Sequence, residues 1–154
     1  MATRKINVLY VDDEEDNLFS FKATFRIKYQ VWTAGSGAEA LKLLESKPVE
    51  VIISDQRMPQ MTGVEFFEKV LEKYPEPVRL LLTGFADMNA VVDAVNKGKI
   101  FHYLTKPWNE EELDMAIQRA YQAYLEKRQM KEQNEQLAVS NDQLEFLLRQ
   151  KLLS

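Results

Sequence analysis

Val51-Ile52-Ile53-Ser54-Asp55-Gln56-Arg57-Met58-Pro59-Gln60-Met61-Thr62-Gly63 is the stretch that decides how this chain reads. An apolar run goes straight into a single carboxylate, and Pro59 and Gly63 mark a turn behind it. Such a run reads as a buried strand. A carboxylate at its carboxyl end stands where open parallel sheets bind ligands, outside the strand tips. Taken alone, Asp55 fits the ordinary role of an Asp that starts a turn. The ends of the other strands decide between the two.

Outward from this stretch, strand and helix signals alternate. Ile6 to Val11 reads as the first strand. The acidic run Asp12 to Asp16 follows and opens a helix with Leu18, Phe21 and Phe25 on one face. Val31 to Thr33 is a short second strand. Ser36 with Glu39 makes a capping box for a helix lined by Leu41 and Leu44, and Pro48 stops its continuation. The third strand, Val49 to Ser54, is followed by a second capping box, Thr62 with Glu65, and by Phe66, Phe67, Val70 and Leu71. Pro75 and Pro77 precede strand four, Val78 to Leu82. Asp87 is placed to cap a helix carrying Met88, Val91, Val92 and Val95, which Gly98 stops. Ile100 to Leu104 is strand five, and Asn109 with Glu112 opens the last helix. Five alternations with short connections imply a parallel sheet covered by helices on both faces.

The totals bound the function. The chain has 154 residues, enough for one domain with an appendage, and a net charge of -4, which does not suggest a nucleic-acid surface. It contains no cysteine, which excludes disulfides, thiolate-bound zinc and thiol catalysis. No apolar run approaches membrane-spanning length, so a cytoplasmic protein with no membrane partner is the expectation.

Strand one ends in Asp12-Asp13, strand three in Asp55, strand four in Thr83 and strand five at Lys106. Parallel strands bring all these ends to one edge. One site then holds three carboxylates, a hydroxyl and an ammonium. Clustered carboxylates repel one another, and a divalent cation relieves the repulsion. Oxygen ligands suit magnesium, which keeps waters and binds phosphate oxygens. Helix capping would account for one or two acids in the run Asp12 to Asp16, and the run exceeds that. Lys106 would be a snorkelling surface residue anywhere else, and Thr83 on its own fits a local turn bond. An anion beside a metal, a lysine and a hydroxyl is most like a transferred phosphoryl group.

These residues resemble the receiver domain of two-component response regulators. The match rests on Asp12-Asp13 after strand one, Asp55 followed by Met58-Pro59 and Gly63, Thr83-Gly84, Tyr103, and Lys106-Pro107, over Lys5 to about Tyr121. The resemblance implies a flavodoxin-like (βα)5 doubly wound parallel sheet of order 2-1-3-4-5, with an extended C-terminal helix. It implies a phosphorylation-controlled switch in which Asp55 accepts a phosphoryl group from the phosphohistidine of a sensor histidine kinase or phosphotransfer protein. Asp13, Asp55 and the backbone carbonyl of Arg57 would ligate Mg2+, with Asp12 acting through a metal-bound water. Lys106 and Thr83 would hold phosphoryl oxygens, Thr83 and Tyr103 would form the switch pair, and the Lys106–Pro107 bond would be cis. Arg57 and Phe85 would flank the site. His102 reads as a surface residue, Trp108 as packing at the helix start, and Trp32 as core or edge packing.

Two other classes fit less well. A phosphatase of the haloacid-dehalogenase type needs a second Asp two places after the nucleophile, where this chain has Arg57. A passive ion-binding module leaves Thr83 and Lys106 unexplained. The expectation is therefore no metabolic enzyme, only Mg2+-dependent phosphorylation and dephosphorylation of the chain's own aspartate.

From Asn109 to about Leu153 neither Gly nor Pro interrupts the last helix. At about 1.5 Å per residue it outruns so small a sheet. We divide the chain into a receiver at 1–122 and a helical extension at 123–154. With Leu113 as heptad position a, the a positions include Ala120, Asn134, Asn141 and Leu148, and the d positions Met130, Leu137 and Leu144. Leu or Met at d with Asn at a predicts a parallel two-stranded coiled coil and hence a homodimer. The last helix carries nine acids and six bases, unlike a DNA-binding arm. No output domain is evident. The expected contexts are a stand-alone receiver, or a piece of a longer regulator with an HD-type phosphohydrolase or similar output.

Overall fold

In the computed structural model, which describes residues 4–153, every alternation read from the sequence is present. The strands are β1 (Asn7–Val11), β2 (Gln30–Ala34), β3 (Val51–Asp55), β4 (Val78–Thr83) and β5 (His102–Thr105). The helices are α1 (Glu15–Phe25), α2 (Gly37–Leu44), α3 (Gly63–Lys73), α4 (Met88–Asn96) and α5 (Glu110–Leu153), with a 3-10 turn at Phe85–Asp87 before α4. All strand pairs are parallel, in the order β2-β1-β3-β4-β5. The expected flavodoxin-like architecture is correct. Strand five starts two residues later than expected, because Ile100 is spent on the core beside α4 and the Phe101 amide bonds the Arg79 carbonyl before the ladder begins.

Alternation along the strands sorts the core into two layers. Val8, Tyr10, Val51, Ile53, Leu80 and Leu82 face α1 and the first turns of α5, meeting Phe21, Phe25, Leu113 and Ile117. Leu9, Val11, Ile52 and Leu81 face the other side, where Phe66, Phe67, Val70, Val91 and Ala94 cover them. Trp108 packs edge-on to Phe21 and tilted on Phe25, and Trp32 packs half-buried at the β2 edge, both as expected. Val92 is 42% exposed, and Ala94 takes the buried place on α4 instead.

The helix starts are set locally. Thr62 and Glu65 form the full capping box. At α2 only half of the expected box is made. The Ser36 hydroxyl accepts from the Glu39 amide, but the Glu39 carboxylate accepts from the Gly35 amide, one residue earlier than the box requires. Asn109 caps α5 by accepting from the Glu111 and Glu112 amides. Gly98, at φ 74°, ends α4 with its amide on the Val95 carbonyl and the Lys99 amide on the Ala94 carbonyl, a Schellman closure that needs the left-handed conformation.

α5 is fastened at its beginning. The Tyr29 hydroxyl donates to the Asp114 carboxylate and accepts from Gln118 Nε2 at 2.8 Å, and Lys28 Nζ lies 2.6 Å from Asp114. Burial and then the Asp114 carboxylate push the Tyr29 phenol well above its usual range. The chain divides into two compact units, Met1–Tyr124 and Leu125–Ser154. Packing on the first core includes Ala120, Tyr121 and Tyr124, while every described side chain from Leu125 to Leu152 is exposed.

Candidate functional site

The carboxyl ends of β1 and β3 bring Asp12, Asp13 and Asp55 together, and each offers a carboxylate oxygen within 4.8 Å of the others. Asp12 and Asp55 are buried and Asp13 is exposed. At the tip of β5, Lys106 reaches over them. Its Nζ lies 2.8 Å from Asp55 Oδ1 and 3.9 Å from Asp12 Oδ2. The Lys106–Pro107 bond is cis.

Asp12 is well supplied with donors. Its Oδ1 accepts from the Glu14 amide at 3.0 Å. Its Oδ2 accepts from the Tyr10 hydroxyl at 2.9 Å and from Asn17 Nδ2 at 3.1 Å. The Tyr10 ring stacks on Phe21, with centroids 4.3 Å apart, so the hydroxyl is held by packing from below the site. Burial first, then the neighbouring Asp12 carboxylate, push the Tyr10 phenol far up, and it remains a donor at neutral pH.

Asp55 has a different environment. Burial pushes its carboxyl above the usual range, Lys106 pulls it down and Asp12 pushes it up again, so the net direction is upward. Its position is fixed by the backbone around it. The Gln56 amide bonds the Leu82 carbonyl, the Gly63 amide bonds the Gln56 carbonyl, and Gln56 Oε1 accepts from the Val64 amide. Gly63 packs so closely that an added Cβ would fall 2.5 Å from the Asp55 carbonyl oxygen and 2.6 Å from Leu81 Cδ1. The turn after Asp55 therefore requires Gly63 for its space.

Thr83 is fully buried and its hydroxyl donates to the Gly84 carbonyl at 3.0 Å, the local turn bond. Leu81 is the register partner of Tyr103 and Thr83 that of Thr105, which sets Thr83 and Tyr103 as diagonal neighbours on one face of adjacent strands. The Tyr103 ring is half-buried and tilts against the exposed His102 at 5.4 Å. Asp87 does not cap α4 as the sequence suggests; its carboxylate accepts from Arg57 Nε at 2.9 Å instead. Tyr10, Asn17 and Gln56 were not legible as site residues. The one available signal was Tyr10, a phenol within a buried strand, whose hydroxyl must find a partner.

A family model for the response regulator receiver domain matches residues 8–118. The chain belongs to that family. Among curated relatives of this receiver, the hydrogenase transcriptional regulatory protein HoxA of Cupriavidus necator is 38% identical over 123 residues, 80% of this chain and 26% of its own length. The DNA-binding transcriptional regulator NtrC of Escherichia coli K12 is 35% identical over 97 residues, 63% of this chain and 20% of its own length. The chain thus spans about a quarter of the length of the curated relatives it matches. Among solved structures, the signal receiver domain of an HD domain-containing protein from Pseudomonas fluorescens Pf-5 superposes with a TM-score of 0.76 at 33% identity, covering 84% of this chain and 96% of that one. The structure of adenylate cyclase from Rhodopirellula baltica gives 0.80 at 34% identity, covering 83% and 96%. No helix among the described residues is long and apolar enough to cross a membrane.

The raised Asp55 carboxyl has a consequence for stability. A carboxyl raised by folding contributes stability below its unfolded value, near pH 4, and loses it as pH climbs through the folded value. Without metal, Asp55→Asn is expected to raise Tm at pH 7, and the gain should shrink as pH falls and vanish only well below about 4, where the wild-type carboxyl is protonated in both states. A gain of ~1 kcal/mol would read as roughly 4 °C. Thermal melts of both forms across this range check it.

Proposed function

We propose that Asp55 is the phosphoacceptor of this receiver, that Asp12, Asp13 and Asp55 with the Arg57 carbonyl hold Mg2+, and that a histidine kinase or phosphotransfer protein is the donor. The observation that carries the reading is the cluster itself: three carboxylates whose oxygens lie within 4.8 Å, with Lys106 Nζ 2.8 Å from one of them. An all-oxygen set with one exposed carboxylate fits a hard divalent cation that keeps water ligands. Bound there, Mg2+ would neutralise the cluster and the entering phosphoryl oxygens.

The residues have separate tasks. An Asp55 carboxylate oxygen forms the new P–O bond. The P–N bond of the donor phosphohistidine breaks, and its electron pair leaves with the imidazole. Lys106 exchanges its pairing with Asp55 for a phosphoryl oxygen, which spares the buried site an unpaired ammonium. Asp12 already accepts from Tyr10, Asn17 and the Glu14 amide, which supports a role through water rather than direct ligation. The Thr83 hydroxyl leaves the Gly84 carbonyl for the phosphoryl group, and the Tyr103 ring follows it inward. A shallow hollow beside Tyr103, lined by Phe101, His102, Glu112, Met115 and Arg119, would change shape with that ring and offers partners a surface.

The test is phosphotransfer. With Mg2+ and acetyl phosphate, the wild type is expected to acquire an acid- and base-labile, hydroxylamine-sensitive phosphoryl group and to release no phosphate catalytically from phosphate esters. Asp55→Asn should abolish labelling, and Asp13→Asn should weaken Mg2+ binding and labelling together, by tenfold or more. Turnover of phosphate esters, or Mg2+ binding unchanged in Asp13→Asn, would contradict this reading.

We further propose that residues beyond Tyr124 pair as a parallel coiled coil in a homodimer. Support comes from the exposed d-position stripe, Met130 at 64%, Leu137 at 61% and Leu144 at 56%. A helix with this much uncovered apolar surface gains by pairing, and Asn134 and Asn141 at a positions favour two strands in register. Sedimentation should show dimers for the full chain, and monomers that still accept phosphate after truncation behind Tyr124. A full chain that stays monomeric at tens of micromolar, about the range of weak coiled-coil association, would contradict the dimer.

A further inference from the structure

Arg57 and Asp87 lie on the two loops that flank the phosphoacceptor. Arg57 is two residues past Asp55, and Asp87 is four past Thr83. Their side chains meet across that gap, with Nε 2.9 Å from Oδ2. Asp87 is also the N-cap residue of α4, yet it makes no capping hydrogen bond. Its backbone explains why. The two hydroxyl caps that do bond, Ser36 and Thr62, are extended at ψ 164° and 166°, whereas Asp87 sits at φ -106° and ψ 13°, wound into the 3-10 turn Phe85–Asp87. In this backbone conformation the carboxylate pairs with Arg57 and leaves the helix uncapped.

We propose that this ion pair is one position of a two-position switch. In the other position, the phosphoryl group on Asp55 takes the Arg57 guanidinium, and Asp87 turns extended and caps α4. The proposal rests on the reading of Asp55 as phosphoacceptor. The driving force is a competition for one guanidinium. Asp87 offers a carboxylate in a pair whose arginine side chain is 73% exposed, an arrangement that holds weakly in water. A phosphoryl group offers about two negative charges and the fork geometry that arginine matches best. Released, the Asp87 carboxylate is attracted to the positive end of α4 and can accept from the Asn89 or Ala90 amide. Capping in that way requires an extended Asp87, so the 3-10 turn must unwind. That turn follows directly on Thr83-Gly84, so the exchange alters the loop that carries the Thr83 hydroxyl. Two pairings of Asp87, one in the turn and one in the extended conformation, supply the bistable element that a switch needs, and the phosphoryl group supplies the differential interaction.

Backbone carbon shifts of Asp87 report its conformation directly by NMR, using the full chain with Mg2+ and beryllofluoride as the phosphoryl mimic. In the wild type, Asp87 is expected to show turn-like shifts without beryllofluoride and extended shifts with it. In Arg57→Gln, which frees the carboxylate, extended shifts should appear without the mimic. In Asp87→Ala, which can neither pair nor cap, residue 87 should stay turn-like in both conditions, while the Asp55 and Lys106 signals still respond to the mimic. Turn-like Asp87 shifts in the wild type after the Asp55 and Lys106 signals have moved would overturn the switch and leave the phosphoacceptor reading standing. Turn-like shifts in Arg57→Gln without mimic would overturn it as well. Asp55 and Lys106 signals that ignore beryllofluoride in every form would overturn the phosphoacceptor reading and the switch with it.

Discussion

The burial of Asp12 and Asp55 side by side at the carboxyl edge of the sheet is the constraint on which the rest depends. Buried carboxylates need donors, and the surrounding structure supplies them from four directions: Tyr10 from β1, Asn17 from α1, the Glu14 amide from the connecting loop, and Lys106 from beyond β5. The donors are divided unequally. Asp12 receives fixed, uncharged donors with the Lys106 ammonium no nearer than 3.9 Å, and Asp55 receives that ammonium at 2.8 Å. That inequality leaves Asp55 with a partner that can move to an incoming group, and Asp12 with partners that cannot. Among the described residues, no buried side-chain polar atom lacks a hydrogen bond, so the site is fully satisfied before any ligand arrives.

The same constraint explains how much could be read from the sequence. A parallel sheet gathers its strand ends, so a run of apolar residues followed by Asp, Thr or Lys announces a shared site before any distance is known. Asp12, Asp13, Asp55 and Lys106 were legible for that reason, and the structure brings them together. Residues whose partners lie on another loop were not. The Arg57–Asp87 contact joins positions separated by 30 residues, and the local pattern at Asp87 pointed to a cap instead. Glu39 shows the finer limit: spacing alone does not distinguish the Ser36 amide from the Gly35 amide one residue away. Tyr10 falls inside the first strand by its sequence, and its ring is core, while its hydroxyl belongs to the site.

The long helix illustrates a second division. Leu113, Ala116, Ile117 and Ala120 are consumed by the first core, and with them the opening heptads that the pattern would assign to a coiled coil. Only the later positions, from Met130 onward, leave an uncovered stripe. The pairing proposed above is thus a property of the second unit, and the Tyr29–Asp114–Gln118 contacts belong to the first.

The central claim is that Asp55, and neither of its acidic neighbours, carries the phosphoryl group. Borohydride reduction converts an aspartyl phosphate to homoserine and leaves free carboxylates intact. After incubation with Mg2+ and acetyl phosphate, reduction and peptide mass spectrometry should find homoserine at position 55 alone. Homoserine at position 12 or 13, or reduction at none of the three, would contradict the account.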